Sequence, residues 1–291
     1  MEDHRWQVAF RATASLGETP LWDPQENLLY WVDITGRVLH RFDPATGNDT
    51  SAEMPDLVGA VALGARGIVL CLRNRVAVCS SSGDQLSQWP EVFSGERERF
   101  NDARVDPHGR LWAGSMDIAE RQPLGGLYVI SGPDDIVRVA GDMVVSNGLD
   151  FTSDGAQLFH IDSYDRGIDH WWIREEPLGI IVRQRLFEIP ARHGEPDGMV
   201  LDAEGTIWVA LWGGGCIRRY DTGGRLLEHI AVPVSQPTGL TFGGPELRHL
   251  YFASAREGLS PAALEKEPLA GSLFYLETTT PGRPAQRAVF G

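Results

Sequence analysis

The chain has 291 residues, a formal net charge of −14 and a sequence pI near 5.0. It contains no cluster of lysine and arginine residues that could neutralise a phosphate backbone, so we predict no nucleic-acid partner. Its 33 glycines, 18 prolines and nine tryptophans are typical of a chain with many strands and turns rather than of a helical one.

The N-terminal stretch MEDHRWQVAF has no apolar signal core, and no apolar run reaches the length of a membrane span. The three cysteines, Cys71, Cys79 and Cys216, show no metal-binding spacing. Cys71 and Cys79 could pair across a hairpin, but free thiols in a reducing cytosol are the preferred prediction. We therefore expect a cytoplasmic protein without a membrane partner, and by default a monomer.

In chain order, the predicted elements begin with a strand, WQVAFRAT, and continue as a repeat. Each repeat has an Asp- or Gly-containing turn followed by a short apolar strand, as in DPHGRLWAGSMD and DAEGTIWVALWG. The six residues before each turn form a further short strand. The first residues of these strands are Glu18, Gly59, Asn101, Asn147, Asp197 and Thr238, at intervals of 41 to 50 residues.

Between these units lie second strand pairs that end in Gly/Asp turns, such as VLHRFDPATG and GLYVISGPDD. Each unit therefore contains four short strands, and four strands at a period of roughly 40–50 residues are typical of a β-propeller blade. The sequence predicts an all-β fold, a six-bladed β-propeller with four-stranded antiparallel blades. We expect it to form a single domain over residues 1–291, with the N-terminal strand closing the ring.

Equivalent positions in a cyclic repeat lie on a ring around one axis, so the six first residues should meet at one mouth of the central channel. Two carboxylates and two amides would cost several kcal/mol if left unpaired there. A divalent cation would compensate the charge, and oxygen ligands suit calcium, magnesium or manganese, while zinc or ferrous iron could also accept them. Asn and Asp are also common turn residues, but Glu18 is a poor turn former. The pattern thus favours a site for one divalent cation, with candidate ligands Glu18, Asn101, Asn147 and Asp197.

These motifs resemble the regucalcin/gluconolactonase family of six-bladed sugar lactonases over essentially the whole chain. The stretches that carry the resemblance are LGETPLWD with YWVDI, RFNDARVDPHGRLWAGSM, SNGLDFTSDG, PDGMVLDAEGTIWVALWGGG and FGGPELRHLYFASAR. The resemblance implies that Glu18, Asn147 and Asp197 hold the metal. It assigns the remaining candidate ligand, Asn101, and the nearby Arg99 to substrate binding.

Three further positions bear on the predicted site. The family often has an acidic substrate contact in the loop after AGSM; here Glu120 is the candidate and Asp117 the alternative. His160, on a predicted inner strand, could line the pocket and bind substrate or could be a core histidine. The family usually has glycine after the ligand glutamate, where this chain has Thr19, so the backbone near the metal should differ slightly.

What the resemblance implies is hydrolysis of a small-molecule sugar lactone, the aldono-lactone of a pentose or hexose, to the open aldonic acid. The cation would polarise the carbonyl, and Asp197 would be the general base, with Glu18 as the alternative. No GxSxG motif is present, which disfavours a serine hydrolase. Two other functions stay open: a non-catalytic calcium- or metal-binding regulatory propeller, and a metal-dependent esterase or organophosphate hydrolase. Arg99 beside Asn101 favours the lactonase, because a metal-buffering protein needs no hydroxyl-binding pair.

Overall fold

The structure is a computed structural model that describes residues 5–84, 86–94 and 96–291. Within these residues, the strands form six four-stranded antiparallel sheets that follow one another around a ring. The predicted six-bladed β-propeller is therefore confirmed. No helix in the described part of the chain has the length and apolar character needed to cross a bilayer.

The strands have the following bounds in chain order. Strand β1 is Trp6–Phe10. Blade one has β2 (Gly17–Asp23), β3 (Leu28–Asp33), β4 (Val38–Asp43) and β5 (Asn48–Glu53). Blade two has β6 (Val58–Leu63), β7 (Ile68–Leu72), β8 (Arg75–Cys79) and β9 (Ser87–Glu91). Blade three has β10 (Glu98–Val105), β11 (Leu111–Asp117), β12 (Gly125–Gly132) and β13 (Asp135–Met143).

Blade four has β14 (Ser146–Phe151), β15 (Gln157–Asp162), β16 (Gly167–Arg174) and β17 (Gly179–Glu188). Blade five has β18 (Glu195–Leu201), β19 (Ile207–Trp212), β20 (Cys216–Tyr220) and β21 (Leu226–Ala231). Blade six has β22 (Pro237–Gly243), β23 (His249–Ser254) and β24 (Leu273–Glu277). A short helix α1 (Pro261–Lys266) precedes β24, and single 3₁₀ turns lie at Ala191–His193 and Pro245–Leu247.

Blade six is completed by both ends of the chain. Strand β1 pairs antiparallel with β24, so the N-terminal strand becomes the outer strand of the last blade. This pairing joins residues that are far apart in sequence, and it closes the ring as the sequence predicts. Trp6 packs edge-to-face on Phe274 of the same blade, with ring centroids 6.1 Å apart.

The Asp-containing turns of the repeat anchor a buried tryptophan in blades three and five. The Asp106 carboxylate accepts hydrogen bonds from backbone N–H groups of its own turn and from the Trp112 indole at 2.8 Å. Asp202 holds its turn and the Trp208 indole in the same way, at 3.0 Å from the indole nitrogen. Both tryptophans are buried in the apolar clusters that join neighbouring blades. The spacing of Asp and Trp in the repeat therefore has a structural cause.

The three cysteines are buried free thiols, which confirms the preferred prediction. Cys71 pairs across the β7–β8 hairpin with Val76, whereas Cys79 pairs with Ile68. The two cysteines thus occupy different rungs of the hairpin. Burial raises the pKa of Cys71 above its ordinary value, so its thiol stays protonated and unreactive.

The C-terminal segment 281–291 crosses one face of the propeller, which the sequence did not predict. We call this the distal face; it is formed by the turns between the first and second strands of the blades. Hydrogen bonds join the segment to all six blades. In blade order, the partners are Asp23, Leu63, Gly109, Asp150, Ala203 and Leu247. The segment therefore ties the ring together opposite the face at which the first strands begin, the proximal face.

Candidate functional site

The first strand of every blade is irregular at the same place. Its pairing with the second strand is interrupted by a bulge near the proximal face, between the following residues: Glu18 and Leu21, Val58 and Ala60, Phe100 and Ala103, Ser146 and Leu149, Pro196 and Met199, and Pro237 and Leu240. A bulge re-aims the side chains of the residues that it releases from pairing. The six ring residues predicted from the sequence lie at these bulges.

The bulges bring four polar side chains of different blades together. Glu18, Asn101, Asn147 and Asp197 are each exposed by only 5–7%. The Asn147 amide nitrogen donates to Asp197 Oδ1 at 2.5 Å, across neighbouring blades. Asn101 donates to the backbone carbonyl of Ser146 at 3.0 Å and so also bridges two blades. Four of the six predicted positions therefore form one polar cluster at the proximal mouth.

The other two ring positions contribute no polar group to this cluster. Gly59 has no side chain, and Thr238 donates its hydroxyl to the backbone carbonyl of Gly17 at 2.6 Å. Thr238 thus fastens blade six to blade one. The ring therefore divides into four groups that face the channel and two positions that let neighbouring blades pack closely.

Glu18 and Asp197 are two carboxylates of like charge in a buried position. Burial raises the pKa of Glu18 well above its ordinary value, and the charges of Asp197 and Asp102 raise it further. Burial likewise raises the pKa of Asp197 to about 7, although the hydrogen bond from Asn147 acts in the opposite direction. Within the described residues, neither carboxylate forms an ion pair with a Lys, Arg or His side chain closer than 4.0 Å. The charge of Arg99 acts against the rise in the pKa of Glu18, but no direct ion pair with a described residue compensates the two carboxylates.

The donor set suits a hard divalent cation. Glu18 uses one oxygen to accept the backbone N–H of Thr19 at 2.9 Å, and its second oxygen is free to bind a cation. Asn147 donates through its nitrogen to Asp197 and Ser163, which leaves its carbonyl oxygen as a ligand. The described part of the chain has no cluster of three or more His, Cys, Asp or Glu side chains suited to a metal. The set is two carboxylates and an amide, and oxygen ligands of this kind match calcium, magnesium or manganese.

Arg99 lies beside this cluster and is itself buried. One terminal nitrogen donates to Asn101 Oδ1 at 2.7 Å and to the carbonyl of Phe100 at 3.0 Å. Burial lowers the pKa of Arg99, while the nearby charges of Glu257 and Glu120 act in the opposite direction. The remaining guanidinium nitrogens form no hydrogen bond with a residue that the structure describes. They are available to an oxygen-rich ligand in the mouth.

The two acidic candidates in the loop after β11 differ in their surroundings. Asp117 is fully buried, and its Oδ2 accepts the backbone N–H groups of Arg121 and Gln122 at 3.1 and 2.9 Å. It therefore shapes the loop. Glu120 has a left-handed backbone conformation, φ 54°, and the charge of Arg99 lowers its pKa against the larger raising effect of burial. Since the charge of Arg99 acts on Glu120, Glu120 stays the candidate of this loop for a substrate contact.

The structure does not place His160 at the opening. It is 1% exposed, its Nε2 lies 2.8 Å from Ser146 Oγ, and its ring packs on Trp171 at 4.7 Å between centroids. Burial lowers the pKa of His160 to about 3, so the imidazole is neutral. Of the two alternatives, the core histidine fits this position, and the predicted substrate contact does not. His160 instead supports Ser146, whose carbonyl holds Asn101.

Two residues of the cluster escaped the sequence analysis. Ser163 accepts a hydrogen bond from Asn147 and donates to the carbonyl of Pro196 at 2.6 Å, so it orients the amide. Asp102 follows Asn101 in the bulge of β10, and burial raises its pKa to about 6. An alignment of the repeats at one position per blade could identify neither Ser163 nor Asp102. The adjacency of Asp102 to Asn101 was the one available signal.

Thr19 has a strained backbone, and this leads to a testable prediction. Its φ is 38°, a region that a β-branched residue rarely adopts, and its buried hydroxyl forms no hydrogen bond with any residue that the structure describes. Because glycine removes both costs, we expect Thr19→Gly to stabilise the protein by about 1 kcal/mol. Urea unfolding measures this, with Thr13→Gly as the control at a residue without positive φ. A loss of stability in Thr19→Gly comparable to that in the control would contradict the strain argument.

Residues 16–256 of the chain match the model of a protein family that is described as the SMP-30/Gluconolactonase/LRE-like region. A 6-deoxy-6-sulfogluconolactonase of Pseudomonas putida is 35% identical over 275 residues, and a pentonolactonase of Haloferax volcanii is 34% identical over 280 residues; each match covers 94% of both chains. The solved structure of a calcium-binding protein, regucalcin, from Agrobacterium tumefaciens is 28% identical, with a TM-score of 0.91 over 96% of both chains. The chain therefore belongs to the SMP-30/gluconolactonase/LRE-like family.

Proposed function

We propose that the protein hydrolyses a sugar lactone, the aldono-lactone of a pentose or hexose, in a reaction that depends on one divalent cation. The observation that carries the proposal is the pair of buried carboxylates, Glu18 and Asp197, which form no direct ion pair with a described residue and lie next to the Arg99–Asn101 pair. The lactonases among the relatives support the substrate class. The calcium-binding protein among the similar structures supports the cation.

Glu18, Asn147 and Asp197 would hold the cation, each from a different blade. When bound there, the cation supplies Lewis acidity toward the lactone carbonyl and the oxyanion that develops on it. Asp197 is the proposed general base. Its Oδ1 is fixed by Asn147 at 2.5 Å, which leaves Oδ2 to accept the proton of the attacking water. Glu18 is the alternative base, but one of its oxygens is engaged by Thr19.

Arg99, Asn101 and Glu120 would bind the hydroxyl groups of the sugar. Arg99 is oriented by Asn101, and its free N–H groups can fork onto two oxygens of the ligand. Glu120 would offer acceptor oxygens. A guanidinium and a carboxylate together suit a polyol, which has both donors and acceptors.

Glu120→Gln tests this arrangement. We expect kcat/KM for the lactone to fall by about 10-fold, because one charge-assisted hydrogen bond to a hydroxyl is lost. The change should lie mainly in KM, since Glu120 contacts the sugar rather than the reacting carbonyl. Asp134→Asn, an exposed acid on the same blade, is the matched control and should leave both constants unchanged. A fall confined to kcat, or none at all, would exclude Glu120 from the substrate contact.

Two other functions are consistent with parts of the same geometry. A metal-binding regulatory propeller would need the cation site alone, and the calcium-binding regucalcin of similar structure favours it. A metal-dependent esterase or organophosphate hydrolase would use the carboxylates and the cation but not the hydroxyl-binding pair. Arg99 and Asn101 favour the lactonase, because neither alternative explains a buried guanidinium held by an amide.

The experiment is hydrolysis of a panel of aldonolactones, an aryl ester and an organophosphate by chelator-treated protein, followed by addition of single divalent ions. Acid release is measured against spontaneous ring opening. Restored turnover on a lactone supports the proposal and names the metal and the sugar. Turnover on the ester or organophosphate alone would assign the hydrolase instead. Tight cation binding without any turnover would favour the regulatory function.

A further inference from the structure

A second cavity lies at the distal end of the channel and is not used by the proposed reaction. Its volume is about 270 Å³. The distal ends of the first strands of blades three to six form its wall, and the C-terminal residues 283–286 close one side of it. Along β10, the four steps from Asn101 to Val105 span about 13 Å at the usual strand rise. The cavity is therefore separate from the proximal cluster.

Two guanidinium groups line this distal cavity. Arg104 donates to the backbone carbonyls of Leu149 and Met199 at 3.3 and 3.2 Å, through Nε and one terminal nitrogen. Arg283 donates from one terminal nitrogen to Asp150 Oδ2 at 3.2 Å. Its Nε is closed off by protein atoms and forms no hydrogen bond with a described residue. One terminal nitrogen of Arg104 and one of Arg283 also form no hydrogen bond within the described residues, and both are free to bind an acceptor that enters the cavity.

A carboxylate lies near each of the two guanidinium groups. Asp150 already accepts backbone N–H groups on both oxygens, from Phe151 and from Leu201, each at 2.8 Å. Asp102 and Arg104 together line a small space of about 20 Å³, and Asp102 accepts the N–H of Ala103 at 2.7 Å. The charge of Arg104 acts against the rise that burial causes in the pKa of Asp102. Each guanidinium thus has a carboxylate nearby and keeps one terminal nitrogen free for a ligand oxygen.

We propose that the distal cavity binds a small oxyanion, the phosphate or carboxylate group of a metabolite, between Arg104 and Arg283. Guanidinium groups match the oxygens of both anions through paired hydrogen bonds. The volume is just below the usual range of ligand pockets, roughly 300–1,000 Å³, which limits the ligand to a small molecule. Because Arg283 belongs to the C-terminal segment, the anion would also fasten this segment to the ring.

Calorimetric titration with inorganic phosphate and with acetate tests the proposal. The protein is treated with chelator, because a cation at the proximal cluster would itself attract phosphate, and ionic strength is held constant with chloride. We expect saturable binding at one site per chain. Arg283→Gln should weaken it by at least about tenfold, since it removes a charge-assisted contact. Arg283→Lys, which keeps the charge but loses the fork, should weaken it less.

Arg99→Gln is the matched control, because it removes a buried guanidinium at the proximal face and should leave binding at the distal cavity unchanged. Unfolding curves of each variant show that it is folded under the conditions of titration. Binding of phosphate, acetate or both, with this pattern of variants, supports the site and identifies the anion. Absence of saturable binding, or binding that Arg99→Gln weakens and Arg283→Gln does not, would overturn the proposal.

Discussion

Asp197→Asn is expected to lower kcat/KM for lactone hydrolysis by about 10³-fold or more, since it removes both the proposed base and a charged ligand of the cation. Asparagine keeps the size of the side chain and can still contact Asn147. The loss therefore tests the charge and the proton-accepting oxygen rather than packing. Initial rates on the best lactone of the panel, at saturating metal, measure it.

The control for Asp197→Asn is Glu204→Gln, an exposed acid on the same blade that pairs with Arg219 near the distal face. We expect it to retain full activity. Thermal unfolding of both variants shows whether the fold is intact. Activity of Asp197→Asn within about tenfold of the wild type would contradict both roles assigned to Asp197, and the base would then have to be Glu18.

Arg287→Ala is expected to lower the free energy of unfolding by about 3 kcal/mol, the largest stability effect that we predict. Arg287 donates to both carboxylate oxygens of Asp23 at 2.7 and 2.6 Å and to the carbonyl of Gly64 at 3.1 Å. The Asp23 side chain is 4% exposed, so the substitution leaves a buried charge without its partner. Urea unfolding at neutral pH measures the loss.

Two further variants show whether the buried charge is the cause. Arg225→Ala removes an exposed arginine that pairs with Asp221 and should change stability by less than about 0.5 kcal/mol. Asp23→Asn combined with Arg287→Ala should recover part of the loss, because the uncompensated charge is removed. A double variant less stable than Arg287→Ala alone would show that the C-terminal segment acts through other contacts.

The repeat made the fold and the cluster predictable. A blade must present the same position at the channel once per period, so Glu18, Asn101, Asn147 and Asp197 could be aligned without any structure. The bulges explain why the prediction worked, since they occur at the same place in every first strand. In a cyclic repeat, residues at equivalent positions of the sequence lie close together around one axis.

Features outside the period could not be predicted in this way. Asp117 and Glu120 are acids of one loop, and only the structure shows that Asp117 accepts backbone N–H groups of that loop whereas the charge of Arg99 acts on Glu120. His160 alternates along its strand like a pocket residue, yet Ser146 and Trp171 enclose it. The C-terminal segment does not follow the period of the repeat, so the sequence could not predict its contacts with the six blades.

The most direct test of the account is metal content and lactone turnover measured in one preparation of the protein. The preparation is stripped with chelator and then titrated with the ion that restores activity in the panel. We predict that turnover rises in proportion to bound metal and saturates at one ion per chain, while Asp197→Asn binds the ion more weakly and stays inactive. Full turnover in the metal-free protein would contradict the assignment of Glu18, Asn147 and Asp197 as the site of a catalytic cation.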